Sequence, residues 1–122
     1  MKVPVISIVD DDESFRKATV NFVRSLGYAA SAFSSAEEFL QGEHARDSDC
    51  LITDLQMPGM SGLELQSRLA AAGNSLPIIF VSAFAEMKAR QQALAAGAVE
   101  FLDKPLRDER LTSCLAALLG QR

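Results

Sequence analysis

The sequence predicts a single doubly wound α/β domain, a (βα)5 chain with a parallel five-stranded sheet and helices on both faces. Three observations lead there. First, short apolar runs stop abruptly at charged residues: VPVISIV (3–9) at Asp10, Asp11, Asp12 and Glu13, CLIT (50–53) at Asp54, and VEFL (99–102) at Asp103 and Lys104. A short apolar run bounded by turn signals is the pattern of a strand buried on both faces. Second, strand-type and helix-type patterns alternate from one end of the chain to the other. Third, the gaps between the runs are long enough for a helical crossover, which is right-handed in parallel sheets. Parallel neighbours end at one edge of the sheet, where open α/β sheets bind their ligands. The charged residues after the runs are therefore expected to meet.

Each element follows in order. VPVISIVD is the first strand, with Pro4 at its start, where a missing N–H is tolerated. Ser14 is a good N-cap for the first helix, whose apolar stripe is Phe15, Thr19, Phe22, Val23 and Leu26, and Gly27 ends it. YAASAF (28–33) reads as the second strand. Ser34 or Ser35 caps the second helix, Glu37 and Glu38 favour its positive end, Phe39 and Leu40 supply its apolar face, and Gly42 stops it.

CLITD is the third strand, and the turn-rich MPGMSG (57–62) leads to a third helix marked by Leu63, Leu65 and Leu69. Gly59 and Gly62 are read as turn residues. Pro77 opens IIFVSA as the fourth strand. Met87, Arg90 and Leu94 with many alanines form the fourth helix, closed by Gly97. VEFLD is the fifth strand, stopped by Pro105, and Leu111, Leu115, Leu118 and Leu119 mark the fifth helix.

Composition narrows the function. With 122 residues, 48% hydrophobic and 23% charged, the chain suits one ordered globular domain over 1–122. A net charge of −4 and scattered Lys and Arg argue against nucleic-acid binding by this segment. No apolar stretch is long enough to span a bilayer. The start lacks the small-residue cleavage site of a signal peptide, so it reads as a core strand of a cytoplasmic protein. Cys50 and Cys114 lie in apolar stretches without CxxC spacing, which suggests buried reduced thiols. His44, the one histidine, lies in the polar stretch QGEHARDSD and reads as a surface residue.

The meeting point of the strand ends suggests the chemistry. Two unit charges about 4 Å apart repel by about 4 kcal/mol at an effective dielectric of about 20, so carboxylates gathered from two strands need compensation. Without it, one takes up a proton. Oxygen ligands with no His or Cys nearby select a hard cation, and Mg2+ fits, with Mn2+ as the alternative ion. Asp12 and Glu13 read instead as solvated charges at a helix N-terminus.

The loop after the first strand is acidic and has no glycine, which excludes the usual Gly-rich phosphate cradle. A phosphoryl group approached through a cation remains open. Carboxylates are covalent phosphoryl acceptors, and the transferring group needs cationic clamps. Asp54 ends the middle strand and is the best acceptor, Lys104 is a clamp, and the Ser82 hydroxyl can bond a phosphoryl oxygen.

VDDDE (9–13), LITDLQMPGMSG (51–62), VSA (81–83) and DKP (103–105) together resemble the response-regulator receiver domain of the CheY-like superfamily. SAEEFL (35–40) and AGAVEFLDKP (96–105) are similar to the FixJ-type subgroup. The likeness covers essentially the whole chain. It implies a flavodoxin-like sheet of order 2-1-3-4-5 and a phosphoryl group passed from a sensor histidine kinase to Asp54.

Mg2+ would be held by Asp11, Asp54 and the Gln56 backbone carbonyl, with Asp10 acting through water. Lys104 would pair with the phosphoryl group. Ser82 and Phe101 would act as the switch, and the Lys104–Pro105 peptide would be cis. The face of the fourth helix, fifth strand and fifth helix would then dimerise or control an output domain, transcriptional in such relatives and absent from this chain. Self-phosphorylation and slow autodephosphorylation would be the only catalysis.

Plainer roles stay open on the residues alone. Phe101 alternates with Val99 and suits core packing, Ser82 suits a loop cap, and Pro105 suits a strand stop. Phe84, bulky and two after Ser82, is expected to shape access to the site.

Two other functions compete. A Mg2+-dependent phosphatase with an Asp nucleophile needs a second acid or base beside it, and residues 55–57 are Leu, Gln and Met. A phosphate-independent binding module on the same fold has no reason to keep Asp10, Asp11, Asp54, Ser82 and Lys104 together.

Overall fold

The computed structural model of the protein describes residues 2–83 and 86–120. Phe84, and any role in access, lies outside the described residues. Among the described residues the elements run β1 Val5–Val9, α1 Glu13–Ser25, β2 Ala29–Phe33, α2 Ala36–Leu40, α3 His44–Asp47, β3 Cys50–Asp54, α4 Gly62–Ala71, β4 Ile78–Ser82, α5 Met87–Ala95, β5 Glu100–Asp103 and α6 Asp108–Leu119. The strands form one sheet in the order β2-β1-β3-β4-β5, and every pairing is parallel. The order and the alternation are those the sequence predicts.

The core has two halves because successive side chains of a strand point to opposite faces. On one face Ile6, Ile8, Ile52 and Val81 pack with Val20 and Val23 of α1 and Leu111 and Leu115 of α6. On the other, Val9, Leu51 and Phe80 pack with Phe39 of α2, Leu65 and Leu69 of α4 and Ala93 of α5. Strands covered on both faces are apolar along their whole length, which is why the runs were legible. Gly27 (φ 97°) and Gly97 (φ 103°) take the left-handed backbone just beyond α1 and α5.

The structure corrects several local readings. Asp12, not Ser14, caps α1: its carboxylate accepts the Phe15 N–H at 3.2 Å. Of the two candidate caps for α2, Ser35 serves, accepting the Glu38 N–H at 3.0 Å. The polar stretch around His44 forms an extra helical turn, α3, so the fourth and fifth helices of the sequence reading are α5 and α6. His44 is exposed, with its ring 4.6 Å from that of Phe33.

The large apolar residues that mark α5 face outward. Met87 is 72% and Leu94 43% exposed, and Ala93 is the helix's buried residue. Cys50 is buried but Cys114 is only partly so, and both are free thiols.

Candidate functional site

The C-terminal edge of the sheet gathers the charged ends of β1, β3 and β5. Asp10 follows β1 directly, and its N–H donates to the Phe33 carbonyl (3.1 Å), which ties the end of β1 to β2. Its side chain is almost fully buried. Oδ1 accepts the Asp12 N–H at 2.8 Å, and Oδ2 accepts from Lys104 Nζ at 2.9 Å. Asp11 is exposed beside it. Asp54, the last residue of β3, accepts the Gln56 N–H on Oδ1 (3.3 Å) and Lys104 Nζ on Oδ2 (3.3 Å). One carboxylate oxygen each from Asp10, Asp11 and Asp54 lies within 4.8 Å of the others.

Lys104 comes straight after β5. Its backbone N–H donates to the Ser82 carbonyl at 3.0 Å, and its peptide bond to Pro105 is cis. The long stem carries the ammonium across to β1 and β3, leaving the side chain 16% exposed. There Nζ also sits 4.2 Å from the centroid of the Phe15 ring. Ser82 ends β4, is buried, and lies in register with Asp103. Phe101 is buried too. Its ring stacks on Phe80 (centroids 5.8 Å apart, 21° between planes), and the Arg90 guanidinium lies 4.7 Å above it. Val99, just before β5, is 42% exposed, whereas Phe101 within the strand is buried.

Burial pushes the Asp54 carboxyl above the usual carboxylate range, and the neighbouring Asp10 charge adds to it; Lys104 and the Gln56 N–H pull the other way without cancelling the rise. Burial also works against the Lys104 ammonium. The hydrogen bond and charge of Asp10, then Asp54, outweigh that and raise its pKa, so it stays charged. Three carboxylates thus gather at a site with one ammonium, which pairs with two of them. An all-oxygen donor set carrying this surplus of negative charge, partly open to solvent at Asp11, fits a small hard dication such as Mg2+. Glu13, outside the cluster, pairs with Lys17 at the surface (2.7 Å), as a solvated charge at a helix start does.

Sequence reasoning missed three contributors. The Glu37 carboxylate accepts the Met60 N–H at 3.0 Å, tying α2 to the loop that follows Asp54. The partners are 23 residues apart, and no local pattern announces such a bond. Gly62 was read as a turn residue, but its φ is not positive. A Cβ at Gly62 would overlap the Asp54 carbonyl oxygen and crowd the Phe80 ring, so glycine is needed there for close approach. Phe15 was read only as part of a core stripe.

Fold and site together define a doubly wound α/β domain whose carboxylate–lysine cluster sits at the carboxyl ends of its strands. Residues 6–116 match the family model described as the response regulator receiver domain, and the chain belongs to that family. It is 41% identical over 118 residues to the response regulator protein TodT of Pseudomonas putida, covering 97% of this chain and 52% of TodT. Among solved structures, a response regulator receiver protein from Burkholderia phymatum superposes with a TM-score of 0.83 at 41% identity, covering 98% of this chain and 97% of that one. The crystal structure of FixJ-N gives 0.83 at 34% identity, covering 94% and 92%.

The chain spans about half the length of the first curated relatives it matches. Membership places it in phosphorylation-based two-component signalling, as a signalling module. Among the described residues, no helix is long and apolar enough to cross a membrane.

Proposed function

We propose that residues 1–122 form the phosphoacceptor domain of a cytoplasmic two-component response regulator, with Asp54 as the acceptor. An Asp54 carboxylate oxygen attacks the phosphorus of a sensor kinase's phosphohistidine. The P–N bond breaks, its electron pair returns to the imidazole nitrogen, and an acyl phosphate forms on Asp54. The Lys104 ammonium, already 3.3 Å from Asp54, pairs with a phosphoryl oxygen as charge shifts onto the acceptor. The Ser82 hydroxyl donates to another.

Asp11, Asp54 and the Gln56 carbonyl would hold Mg2+, with Asp10 acting through water, and the ion would supply charge neutralisation for the incoming phosphoryl group. Water slowly cleaves the acyl phosphate, and no other catalysis is assigned. The observation that supports this reading above the rest is the convergence of Asp10, Asp11 and Asp54, with the Lys104 ammonium paired to Asp10 and Asp54.

The output surface is the face of α5, β5 and α6, reached from the site through Ser82 and Phe101. Met87 and Leu94 expose apolar area there, suited to a phosphorylation-induced dimer or to the control of a transcriptional output domain, a role in keeping with the name of its relative, the transcriptional regulatory protein FixJ.

The test is incubation with Mg2+ and acetyl phosphate followed by intact-mass measurement. The expected product is an adduct of about 80 Da, one phosphoryl group replacing a proton, absent without Mg2+ and absent from Asp54→Asn. No adduct, or one that persists in Asp54→Asn, rejects the assignment. Equal partner affinity for wild type and Asp54→Ala would favour a phosphate-independent binding module.

A further inference from the structure

We propose that Phe15 is a positioning residue that holds the Lys104 ammonium over Asp54 through the face of its ring; its importance for phosphoryl transfer rests on the acceptor role given to Asp54 above. The ring is well placed. Phe15 lies in the first turn of α1, where its N–H donates to the Asp12 carboxylate and its carbonyl accepts from the Thr19 hydroxyl at 2.8 Å. Its backbone is thereby fixed on both sides, and its half-buried ring meets Nζ at 4.2 Å from the centroid. Among the described residues the ammonium has two other partners, the carboxylates of Asp10 and Asp54.

Those two partners are the groups a dication draws on. When a divalent cation binds, the negative charge that holds the ammonium is shared, and the two cations repel each other. The aromatic face attracts a cation through its quadrupole and carries no net charge for the dication to neutralise. The ring therefore keeps the amine at the site in both conditions. The same pocket without an aromatic face would let Lys104, a flexible four-carbon side chain, drift toward solvent.

A purely apolar role predicts that any side chain of similar volume serves, whereas the ring-face role requires a π-system. Phe15→Leu should slow phosphorylation by acetyl phosphate at saturating Mg2+ about five-fold, the effect of losing one such contact. Phe15→Tyr should restore the rate. Mg2+ affinity should stay within about two-fold, because the ring touches the amine and not the carboxylates. In a Lys104→Ala background, Phe15→Leu should change nothing.

A readout independent of phosphorylation is the NMR shift of the Lys104 ε-methylene protons, with and without Mg2+. A ring-current displacement should be seen in wild type and Phe15→Tyr and vanish in Phe15→Leu. Ordinary lysine shifts in the wild type, a Phe15→Tyr variant as slow as Phe15→Leu, or a Phe15→Leu effect that persists in Lys104→Ala overturns the proposal. If the wild type forms no adduct yet shows the ring-current shift, the acceptor assignment fails while the Phe15–Lys104 contact stands.

Discussion

Helices α1 and α5 cover opposite faces of the sheet and are held there by different means. Helix α1 buries Thr19, Val20 and Val23 and is capped by the Asp12 side chain. Helix α5 buries Ala93, and its N-cap Glu86 makes no side-chain bond. Polar bonds supplement that smaller apolar contact. Buried Gln66 of α4 donates from Nε2 to the Ala93 carbonyl at 3.0 Å, and Arg90 donates to the Phe101 carbonyl (3.3 Å) and to Asp103 Oδ1 (2.8 Å). Burial of three branched side chains within the second half of α1 anchors that helix to the sheet. A few directional bonds hold α5 at fewer points. The carboxylate cluster is thus built beside the rigid helix, and Phe101 lies under the one with fewer constraints.

The comparison can be broken most directly by deleting equivalent apolar groups. Val23→Ala should lower the unfolding free energy by about 2 kcal/mol, while Leu94→Ala on α5 should change it by less than about 0.5 kcal/mol, both read by urea denaturation. Equal losses would erase the contrast.

A smaller effect tests the polar tether. Gln66→Ala should cost about 1–2 kcal/mol by removing a buried donor, and hydrogen exchange should quicken in α5 while α1 stays protected. Uniform quickening would mean that α5 is not a separate unit.

The smallest effect has the opposite sign and belongs to the rigid side. A carboxyl whose native pKa is raised contributes stability that is full below its unfolded pKa and lost as pH rises through the native value. Asp54 is such a group, so at neutral pH the wild type has forgone that stability. Without divalent cations, Asp54→Asn should melt at a higher temperature than wild type near neutral pH, and the gap should close in acid. Added Mg2+ should raise the melting temperature of the wild type more than that of the variant.

Much of the molecule was readable because buried parallel strands admit few polar residues. CLITD matches β3 at both ends, since burial begins and stops where the apolar run does. The charges after β1, β3 and β5 pointed to a common edge for the same reason. Helix faces were harder. In α5 the buried residue is a single alanine, Ala93, and the large side chains Met87 and Leu94 lie on the solvent side, so periodicity of large residues marks the helix without marking its core face. In the DDDE run Asp12 outcompeted Ser14 as the cap because its carboxylate reaches the Phe15 N–H. α3 has no apolar stripe, only a partly buried Ala45, so nothing periodic marked it. The Glu37–Met60 bond and the Phe15–Lys104 contact are tertiary, joining residues far apart in the chain.

The contact between Gly62 and the backbone of Asp54 also bears on how this chain can change over time. Ser61 beside it can trade one N-capping side chain for another, and half-buried Leu63 can vary in size at modest cost. Gly62 has no such freedom, because even a methyl group there would overlap the Asp54 carbonyl oxygen and push α4 away from β3. Tolerance to substitution in this loop therefore stops at a single position, where the backbone of one element rests directly on that of another.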